Sequence, residues 1–529
     1  MNQIFLKCLF CFFFMLVNLE NLSRWLFWWQ TKEYRFDRMR VHLKTPKGRK
    51  GLFGFFYILK LFFVIGPGRL SGFYFFLFAL ESFSLFLRFL KRSLKKPKFT
   101  FKIWLLLGES LFFQGSLIFF LCPCPTLSLT VRPFFTANLL LPAIVALGVA
   151  VLAIPTLLIK KRIIKKARRK IKKQPNLTVI GITGSFGKTS TKEFLKVILE
   201  SQFRVLATTD HENTLIGVAR QINRYLTDKH QFYIVEMGAY KKGEIKAICD
   251  LVTPKMAIIT GIGFQHLSLF GSPENLIEAK NELIESLPAD GLAFFNGDTS
   301  GSLLMSRRCR VKKKIFALDY PPADFRAKEI KISRKSLRFK ISAAGFDRFQ
   351  IFSAGLLGKQ NISNLLSAIA LGFSLKMNPL QIALAIKKQK PLTGTMKLVS
   401  GPGQINLIDD SYNSNPEGVL AALDYLGVFP KNKYLVFQPM IELGEKTEEE
   451  HRRVSKKALK ICRLIFLTNQ NFYRRFVNSR DRDRVFIVRS PRDFLKKILP
   501  YLRRDEAILF EGREADPYLK AFLREVRKK

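Results

Sequence analysis

Residues 183–189 read Thr-Gly-Ser-Phe-Gly-Lys-Thr, with an apolar run before them and a helix-forming segment after them. Glycines in such a turn let backbone N–H groups close around phosphate oxygens, and the N-terminus of the following helix adds partial positive charge. We expect Lys188 to reach the β- and γ-phosphates of a nucleotide and the Thr189 hydroxyl to bind Mg²⁺. The nucleotide-binding residues predicted in this stretch are Gly184, Ser185, Gly187, Lys188, Thr189 and Ser190.

This stretch is shorter than a standard P-loop, in which four residues separate the first glycine from Gly-Lys-Ser/Thr. Counting back from Gly187, the position of that first glycine holds Ile182. An ATP-driven transporter would need the strict spacing and two ATPase units, so the departure disfavours that class of protein.

Three polar residues follow apolar runs further along the chain. Glu236 ends an apolar strand, where a carboxylate is unfavourable unless a metal ion or a cation pairs with it. His266 lies just past the next predicted strand, and Lys280 lies on the helix after that. Taken singly, each has a structural alternative: a capped strand end, a hydrogen-bonded imidazole or a solvated ammonium. Together with the glycine-rich turn, they favour a catalytic site for phosphate and metal.

Short apolar runs alternate with helical segments after Pro175, which predicts a mainly parallel sheet built from βαβ units. Strands are predicted within residues 177–183, 203–209, 232–238, 256–262 and 292–298. Open α/β sheets bind ligands at the carboxyl ends of their strands, and the polar residues named above follow such ends. We therefore predict an α/β, P-loop-type central ATP-binding domain over residues 176–393.

A second α/β domain is predicted after a linker containing Pro and Gly at residues 390–404. Its strands are predicted within residues 405–410, 434–440, 464–469, 485–490 and 507–512. They indicate a smaller, Rossmann-like domain over residues 394–529.

The first 160 residues alternate apolar stretches with Lys/Arg clusters, which predicts transmembrane helices. About five spans are predicted, at residues 4–19, 51–67, 71–89, 103–122 and 134–158. A cleaved signal peptide is the alternative for the first of them, but no small-residue cleavage site follows it. Residues 1–160 are thus the predicted membrane region and residues 161–175 a basic juxtamembrane linker. Because basic loops face the cytoplasm, a multi-pass inner-membrane protein with a cytoplasmic catalytic half is expected.

The formal net charge of +47 suits either nucleic acid or an anionic membrane surface. The Lys/Arg clusters lie beside apolar segments, so we expect anionic membrane lipids as partners and no nucleic acid.

The motifs of the second half resemble those of the Mur ligase family of ATP-dependent amide ligases. In chain order they are TGSFGKTS at 183–190, EMGA at 236–239, EAKNEL at 278–283, GKQNISNLLSAIALG at 358–372 and DDSYNSNP at 409–416. The resemblance covers about residues 176–520, two of the family's three domains. The family's soluble domain for the UDP part of the substrate has no counterpart here, and the membrane segments stand in its place.

The resemblance implies a role for each matching residue. Glu236 matches the family's carboxylate ligand to Mg²⁺, and His266 matches an imidazole near a second metal ion. Lys280 matches a lysine that is carbamylated in several members, which turns an ammonium into an anionic oxygen ligand. Asn213 and Thr214 match a segment near the reacting substrate carboxylate.

The cofactors that the resemblance implies are ATP and Mg²⁺, with two ions expected. Asn361 and Asn364 match positions close to the adenine. Asp410, Tyr412 and Asn413 match the second domain's contribution to nucleotide and metal binding.

The implied activity is ligation of D-alanyl-D-alanine to a muramoyl-tripeptide of peptidoglycan synthesis, through an acyl phosphate. The muramoyl precursor is expected to be UDP-linked or lipid-linked. Two alternatives stay open: a Mur-type ligase joining another amine to a lipid-linked carboxylate, and a membrane-anchored nucleotide-binding scaffold without turnover.

Three positions depart from the family's motifs. Gly394-Thr395 stands where the family has Gly-Arg, Gln438-Pro439 where it has Gly-Asp, and Glu511-Gly512-Arg513 where it has Lys-Gly-Ser-Arg. The lost Arg and Lys are expected to face phosphate or carboxylate, and their replacements cannot make those contacts. The motifs for ATP are therefore better preserved than those for the substrates.

Overall fold

The computed structural model describes residues 3–65, 71–90, 94–121, 132–209, 212–263, 270–343, 350–392, 394–412, 414–440, 443–470, 473, 477 and 479–525. The chain forms two compact units, Met1–Lys161 and Arg162–Lys529.

The first unit is helical. Its helices are α1 (Gln3–Thr31), α2 (Phe36–Lys44), α3 (Pro46–Phe53), α4 (Phe55–Ile65), α5 (Ser71–Leu90), α6 (Phe101–Leu121) and α7 (Arg132–Lys172), and the last turns of α7 belong to the second unit. In the part of the chain that the structure describes, three helical segments are long and apolar enough to cross a membrane: Cys8–Thr31, Phe101–Leu121 and Arg132–Lys172. Membrane insertion itself stays a prediction.

At the other two predicted spans, residues 51–67 and 71–89, the structure differs from the sequence-based prediction. The span at 51–67 falls on α3 and α4, because the chain is extended at Gly54 (φ −69°, ψ 158°). Helix α4 has 11 residues, fewer than the ~17 that a span requires. Helix α5 has 20 residues but carries Glu81 and Arg88, and it is not among the three candidate spans.

Polar side chains join the helices inside the first unit. Asn18 Nδ2 donates to Gln114 Oε1 at 2.8 Å, and Asn138 Nδ2 donates to Asn18 Oδ1 at 3.0 Å. Lys60 Nζ donates to Asn138 Oδ1 at 2.8 Å and pairs with Glu81 at 2.6 Å. Interhelical hydrogen bonds of this kind hold apolar helices together where water is absent.

The second unit begins with a sheet of nine strands among the described residues, in the order β2-β3-β1-β4-β5-β6-β7-β8-β9. The strands are β1 (Thr178–Thr183), β2 (Val205–Ala207), β3 (Phe232–Glu236), β4 (Met256–Ile259), β5 (Leu292–Asn296), β6 (Lys312–Ala317), β7 (Phe325–Ile332), β8 (Leu337–Ala343) and β9 (Gln350–Ala354). Neighbours from β2 through β7 run parallel, and β7, β8 and β9 pair antiparallel.

Helices cover both faces of this sheet, as its parallel strands require. They are α8 (Lys188–Glu200), α9 (Leu215–Tyr225), α10 (Glu244–Val252), α11 (Pro273–Glu285), α12 (Ser300–Arg308), α13 (Lys359–Ser374) and α14 (Pro379–Lys387). One core takes Ile180 and Ile182 of β1, while the core on the other face takes Val179. Side chains of β1 therefore alternate between the two cores, and the strand ends at the glycine-rich turn.

The rest of the second unit is built on a six-stranded sheet in the order β10-β11-β15-β12-β13-β14, counted over the described positions. Its strands are β10 (Lys397–Ser400), β11 (Asn406–Asp410), β12 (Lys433–Phe437), β13 (Leu464–Leu467), β14 (Val485–Ile487) and β15 (Ala507–Glu511). Its helices are α15 (Pro416–Leu426), α16 (Thr447–Ile461), α17 (Pro491–Ile498) and α18 (Asp516–Glu525), with 3₁₀ turns at Pro402–Gln404, Gly444–Lys446, Ser479–Arg484, Leu499–Tyr501 and Arg513–Ala515. All strand pairs are parallel except β10 with β11.

The ten strands predicted after Pro175 are all present, and the predicted α/β fold class is confirmed. The sequence did not predict β6 to β9. These strands extend the sheet beyond the predicted βαβ units by two parallel pairings, β5–β6 and β6–β7, and two antiparallel pairings, β7–β8 and β8–β9. It also treated residues 390–404 as a linker, whereas Lys397–Ser400 form β10 on β11.

Candidate nucleotide and metal site

The glycine-rich turn joins the end of β1 to the start of α8. Gly184 and Gly187 have φ of 155° and 78°, so both occupy backbone conformations that favour glycine. A Cβ at Gly184 would collide with Thr260 Oγ1, and one at Gly187 would collide with Asn364 Oδ1. The turn is thus tightly packed, and it is followed directly by the N-terminus of α8.

Ser185 anchors the turn to the segment after β4. Its backbone N–H donates to the Gly261 carbonyl at 2.7 Å, and its hydroxyl donates to the Gly263 carbonyl at 2.9 Å. Ser190, also predicted to bind nucleotide, lies half-buried in the first turn of α8.

Two lysine ammonium groups converge on one carbonyl oxygen of the turn. Lys188 Nζ donates to the Gly184 carbonyl at 2.8 Å, and Lys280 Nζ, from α11, donates to the same oxygen at 3.0 Å. Burial of the ammonium lowers the pKa of Lys188, and burial with the neighbouring Lys188 charge lowers the pKa of Lys280 strongly. The Lys188 ammonium and the N-terminus of α8 favour an anionic occupant of the turn.

Glu236 lies beside the same helix terminus, at the carboxyl end of β3, and its side chain is 8% exposed. Its carboxylate accepts from Thr189 Oγ1 at 3.0 Å and from Asn213 Nδ2 at 3.1 Å. Lys192 Nζ lies 3.7 Å from Glu236 Oε2. Thr214 caps helix α9 by accepting from the Gly217 N–H at 3.4 Å.

The donor set at this position fits Mg²⁺. A hydroxyl and a carboxylate supply hard oxygen ligands, and Mg²⁺ in proteins usually takes one or two such ligands, with the remainder from water and substrate phosphates. Thr189 and Glu236 would hold the ion. Among the residues that the structure describes, no group of three or more His, Cys, Asp or Glu side chains could hold a metal ion. His266, predicted near a second ion, lies outside the described residues.

The two asparagines predicted near the adenine lie on α13 and are buried. Asn364 approaches Gly187 closely, and Asn361 Nδ2 donates to the Leu357 carbonyl at 2.8 Å. The structure therefore places Asn364 at the turn itself, while the Asn361 amide is used by the start of its own helix.

Asp410 and Tyr412 lie at the carboxyl end of β11, in the second sheet. Asp410 stands opposite Glu511 in the parallel ladder, and Tyr412 N–H donates to the Gly394 carbonyl at 2.8 Å. Arg513 Nε donates to the Tyr412 carbonyl at 2.9 Å. Asn413 lies outside the described residues.

The second sheet's domain reaches the glycine-rich turn through helix α15. A Cβ built at Gly263 would lie 3.1 Å from the Phe186 ring and 3.2 Å from Glu417 Oε2. The first turn of α15 is therefore beside the turn that Ser185 anchors. The structure thus groups the predicted residues into two sets, one around Lys188 and Glu236 at the first sheet and one around Asp410 and Tyr412 at the second.

Lys192 is the site residue that the sequence reading missed. It is fully buried, 3.7 Å from Glu236 and 3.1 Å from Glu193. Its position four residues after Lys188, on the same face of α8, was the available signal. A helical lysine is normally solvated, which is why the residue type alone did not mark it.

A parallel sheet with a glycine-rich turn at a helix N-terminus, two converging lysines and a carboxylate defines a nucleotide-binding α/β protein of the P-loop type. Two family models match: the Mur ligase middle domain over residues 182–372 and the Mur ligase glutamate ligase domain over residues 395–513. The chain belongs to the Mur ligase family, as the sequence motifs predicted.

Curated relatives carry the name UDP-N-acetylmuramoyl-tripeptide–D-alanyl-D-alanine ligase. That of Bacillus subtilis is 31% identical over 277 residues, 52% of this chain and 58% of the relative. That of Escherichia coli is 30% identical over 308 residues, 57% of this chain and 67% of the relative. The chain thus spans about three fifths of the length of these relatives.

Solved structures share the fold. MurF from Acinetobacter baumannii superposes with a TM-score of 0.63 at 22% identity, covering 70% of this chain and 81% of that one. MurF ligase from Thermotoga maritima, solved in complex with ADP, also has a TM-score of 0.63 at 22% identity, covering 70% and 84%.

Proposed function

We propose that this chain is an ATP-dependent amide ligase that adds D-alanyl-D-alanine to a muramoyl-tripeptide in peptidoglycan synthesis. The observation that carries the proposal is the convergence of Lys188 and Lys280 on the Gly184 carbonyl, beside the Thr189–Glu236 pair. Relatives at about 30% identity bear the name of that ligase.

Each side chain of the site has a part in this reaction. ATP, with Mg²⁺, would supply the phosphoryl group that activates the substrate carboxylate as an acyl phosphate. Lys188 would neutralise phosphate charge, and Thr189 with Glu236 would hold the metal ion. Asn213, fixed by its bond to Glu236, would orient the reacting carboxylate.

The function is tested by mass spectrometry on the full chain in neutral-lipid nanodiscs, supplied with ATP, D-Ala-D-Ala and a muramoyl-tripeptide. We expect a product heavier than the acceptor by D-Ala-D-Ala less one water, with one ADP released for each bond formed. ATP turnover that needs no D-Ala-D-Ala would contradict the proposal. Product formed only with another amine would select the alternative ligase, and nucleotide binding without any turnover would select the scaffold.

We further propose that Lys280 is carbamylated. Its pKa is lowered strongly by burial and by Lys188, and a neutral amine is the form that reacts with carbon dioxide. A carbamate there would give the site a second anionic oxygen group. Labelling with ¹³C-bicarbonate should give one carbamate resonance in the wild type and none in Lys280→Ala, and a wild-type spectrum without that resonance would refute the modification.

We propose that the apolar helices hold the ligase at the cytoplasmic face of the inner membrane, where a lipid-linked acceptor is accessible. Three candidate spanning segments and the Lys/Arg clusters support this placement. Reporter fusions after Leu90, Leu121 and Glu525 of the full-length sequence test it. A periplasmic signal from the fusion after Glu525 would exclude a cytoplasmic catalytic half.

A further inference from the structure

A cavity of about 800 Å³ lies in the second unit, between the end of α7 and helix α9. Arg162, Ile163 and Lys166 line it from α7, and Thr209 and Glu212 line it from the segment before α9. The last turns of α9 contribute Arg220, Gln221, Asn223, Arg224 and Tyr225. We call it the basic cavity. Its volume lies within the ~300–1,000 Å³ typical of small-molecule sites.

Four cations line the basic cavity. They are Arg162, Lys166, Arg220 and Arg224, and each is exposed. Within the described ranges of the chain none of the four forms an ion pair, and Glu212 is the acid among the lining residues. Unpaired cations gathered around one cavity repel one another, so a ligand with more than one negative charge lowers the energy of the arrangement.

Asn223 adds a polar group to the cavity wall. Its Nδ2 donates to the Ile163 carbonyl at 2.9 Å, and its backbone carbonyl accepts from Lys170 Nζ at 3.0 Å, so α9 is bonded to α7. Its Oδ1 is enclosed and has no hydrogen-bond partner among the described residues. Asn223 therefore joins α9 to α7 at the cavity wall, and its enclosed Oδ1 lies out of reach of a ligand in the cavity.

The basic cavity adjoins the metal and phosphate site along one segment of chain. Thr208 Oγ1 accepts from the Glu236 N–H at 2.9 Å, and Asn213 Nδ2 donates to Glu236 Oε1 at 3.1 Å. Their chain neighbours Thr209 and Glu212 line the cavity. A molecule anchored in the cavity therefore extends past Asn213 to reach Glu236.

We propose that the basic cavity binds the diphosphate by which the acceptor is attached to its carrier. The inference rests on the proposed ligase function and names the part of the acceptor that the turn and Glu236 do not hold. Arginine binds phosphate oxygens through pairs of N–H groups, and a diphosphate offers enough oxygens for several of them.

A diphosphate of this kind has two possible carriers, a nucleoside and a membrane-bound polyprenyl chain. Arg162 and Lys166 follow Ile159, the last residue of the apolar run of α7, by three and seven residues. A helical rise of ~1.5 Å per residue keeps both within ~11 Å of the end of that run. Both carriers present the same diphosphate to the cavity, and the experiment distinguishes them.

Binding is measured on the full chain in neutral-lipid nanodiscs, with the glycine-rich turn saturated by a non-hydrolysable ATP analogue. The probes are inorganic pyrophosphate, UDP, and polyprenyl diphosphate added to the nanodisc lipid. Arg220→Ala/Arg224→Ala should weaken binding roughly a hundredfold, since a charged hydrogen bond contributes about a factor of ten for each arginine. The matched control, Arg307→Ala/Arg308→Ala, removes two exposed arginines of α12 outside the cavity and should bind as the wild type does.

Steady-state kinetics separate the inference from the ligase proposal. The cavity variant should raise KM for the acceptor while leaving KM for ATP and D-Ala-D-Ala unchanged. The acceptor with the lower wild-type KM, nucleotide-linked or polyprenyl-linked, identifies the carrier. If the variant turns over with an unchanged KM for the acceptor, the diphosphate proposal is wrong and the ligase proposal stands. If the wild type binds diphosphate but shows no turnover, the ligase proposal is wrong and diphosphate binding stands. A wild-type chain that binds neither pyrophosphate, UDP nor polyprenyl diphosphate also overturns the inference.

Discussion

The two sheets of the second unit bury charge at their carboxyl ends in different ways. At the end of β3, Glu236 meets the Thr189 hydroxyl, the Asn213 amide and the Lys192 ammonium. At the ends of β11 and β15, Asp410 and Glu511 face each other in the ladder. The first arrangement sets a carboxylate among donors, and the second sets two acids together.

The difference appears in the pKa values of the second pair. Burial raises the pKa of Asp410 to about 7, and burial with the Asp410 charge raises the pKa of Glu511 well above its usual range. Neither Glu511 oxygen has a hydrogen-bond partner among the described residues. The middle domain thus surrounds its buried acid with donors and a cation, whereas the second domain places two buried acids together and raises the pKa of both.

Lys188→Ala tests the site at the carboxyl end of β3, and it should have the largest effect on turnover. Removing the ammonium takes away the charge that meets the nucleotide phosphates, and turnover should fall by at least ~10³-fold. ADP release coupled to product formation is the measurement. Lys196→Ala, on the same helix, is the control and should retain wild-type turnover. Comparable activity in the two variants would remove Lys188 from the mechanism.

Glu236→Gln keeps the shape of the side chain but removes its charge. We expect turnover to fall roughly 10²-fold and the Mg²⁺ concentration for half-maximal nucleotide binding to rise, because one anionic ligand is lost. A Mg²⁺ titration of nucleotide-analogue binding measures this effect independently of turnover. An unchanged Mg²⁺ midpoint would show that Glu236 does not contact the ion.

Glu511→Gln tests the pair of acids at the ends of β11 and β15 through the thermal stability of the protein. Unfolded carboxyl groups bind protons only below about pH 4, whereas the folded pair holds protons up to about pH 7, so wild-type stability falls as pH rises through that window. The variant should raise Tm by about 4 °C at pH 8 and by less than half of that at pH 5.

Thermal unfolding of the full chain at the two pH values measures this shift. Asp516→Asn, which removes an acid that pairs with Lys520 in the same domain, is the control and should leave the pH dependence unchanged. A Tm shift in Glu511→Gln that is equal at pH 5 and pH 8 would show that the pair does not hold extra protons.

Local sequence determined a large part of this protein. Short apolar runs between helical segments predicted ten strands that the structure contains, because buried parallel strands must be apolar on both faces. The turn at Gly184 and Gly187 was readable because its backbone conformation restricts the residue type. By contrast, β6 to β9 were not predicted, since the charged residues of β6, β7 and β8 are typical of exposed segments as well as of strands.

Tertiary structure decided which of the marked residues act together. Lys280 lies 96 positions after Gly184, and only the packing of α11 against β1 brings its ammonium to that carbonyl. Glu511 was recognised as a departure from a family motif, but its pairing with Asp410 follows from the strand order β11-β15. Sequence determines local conformation and apolar pattern, because these depend on neighbouring residues. The charge around a buried group depends on distant segments, and only the folded chain sets it.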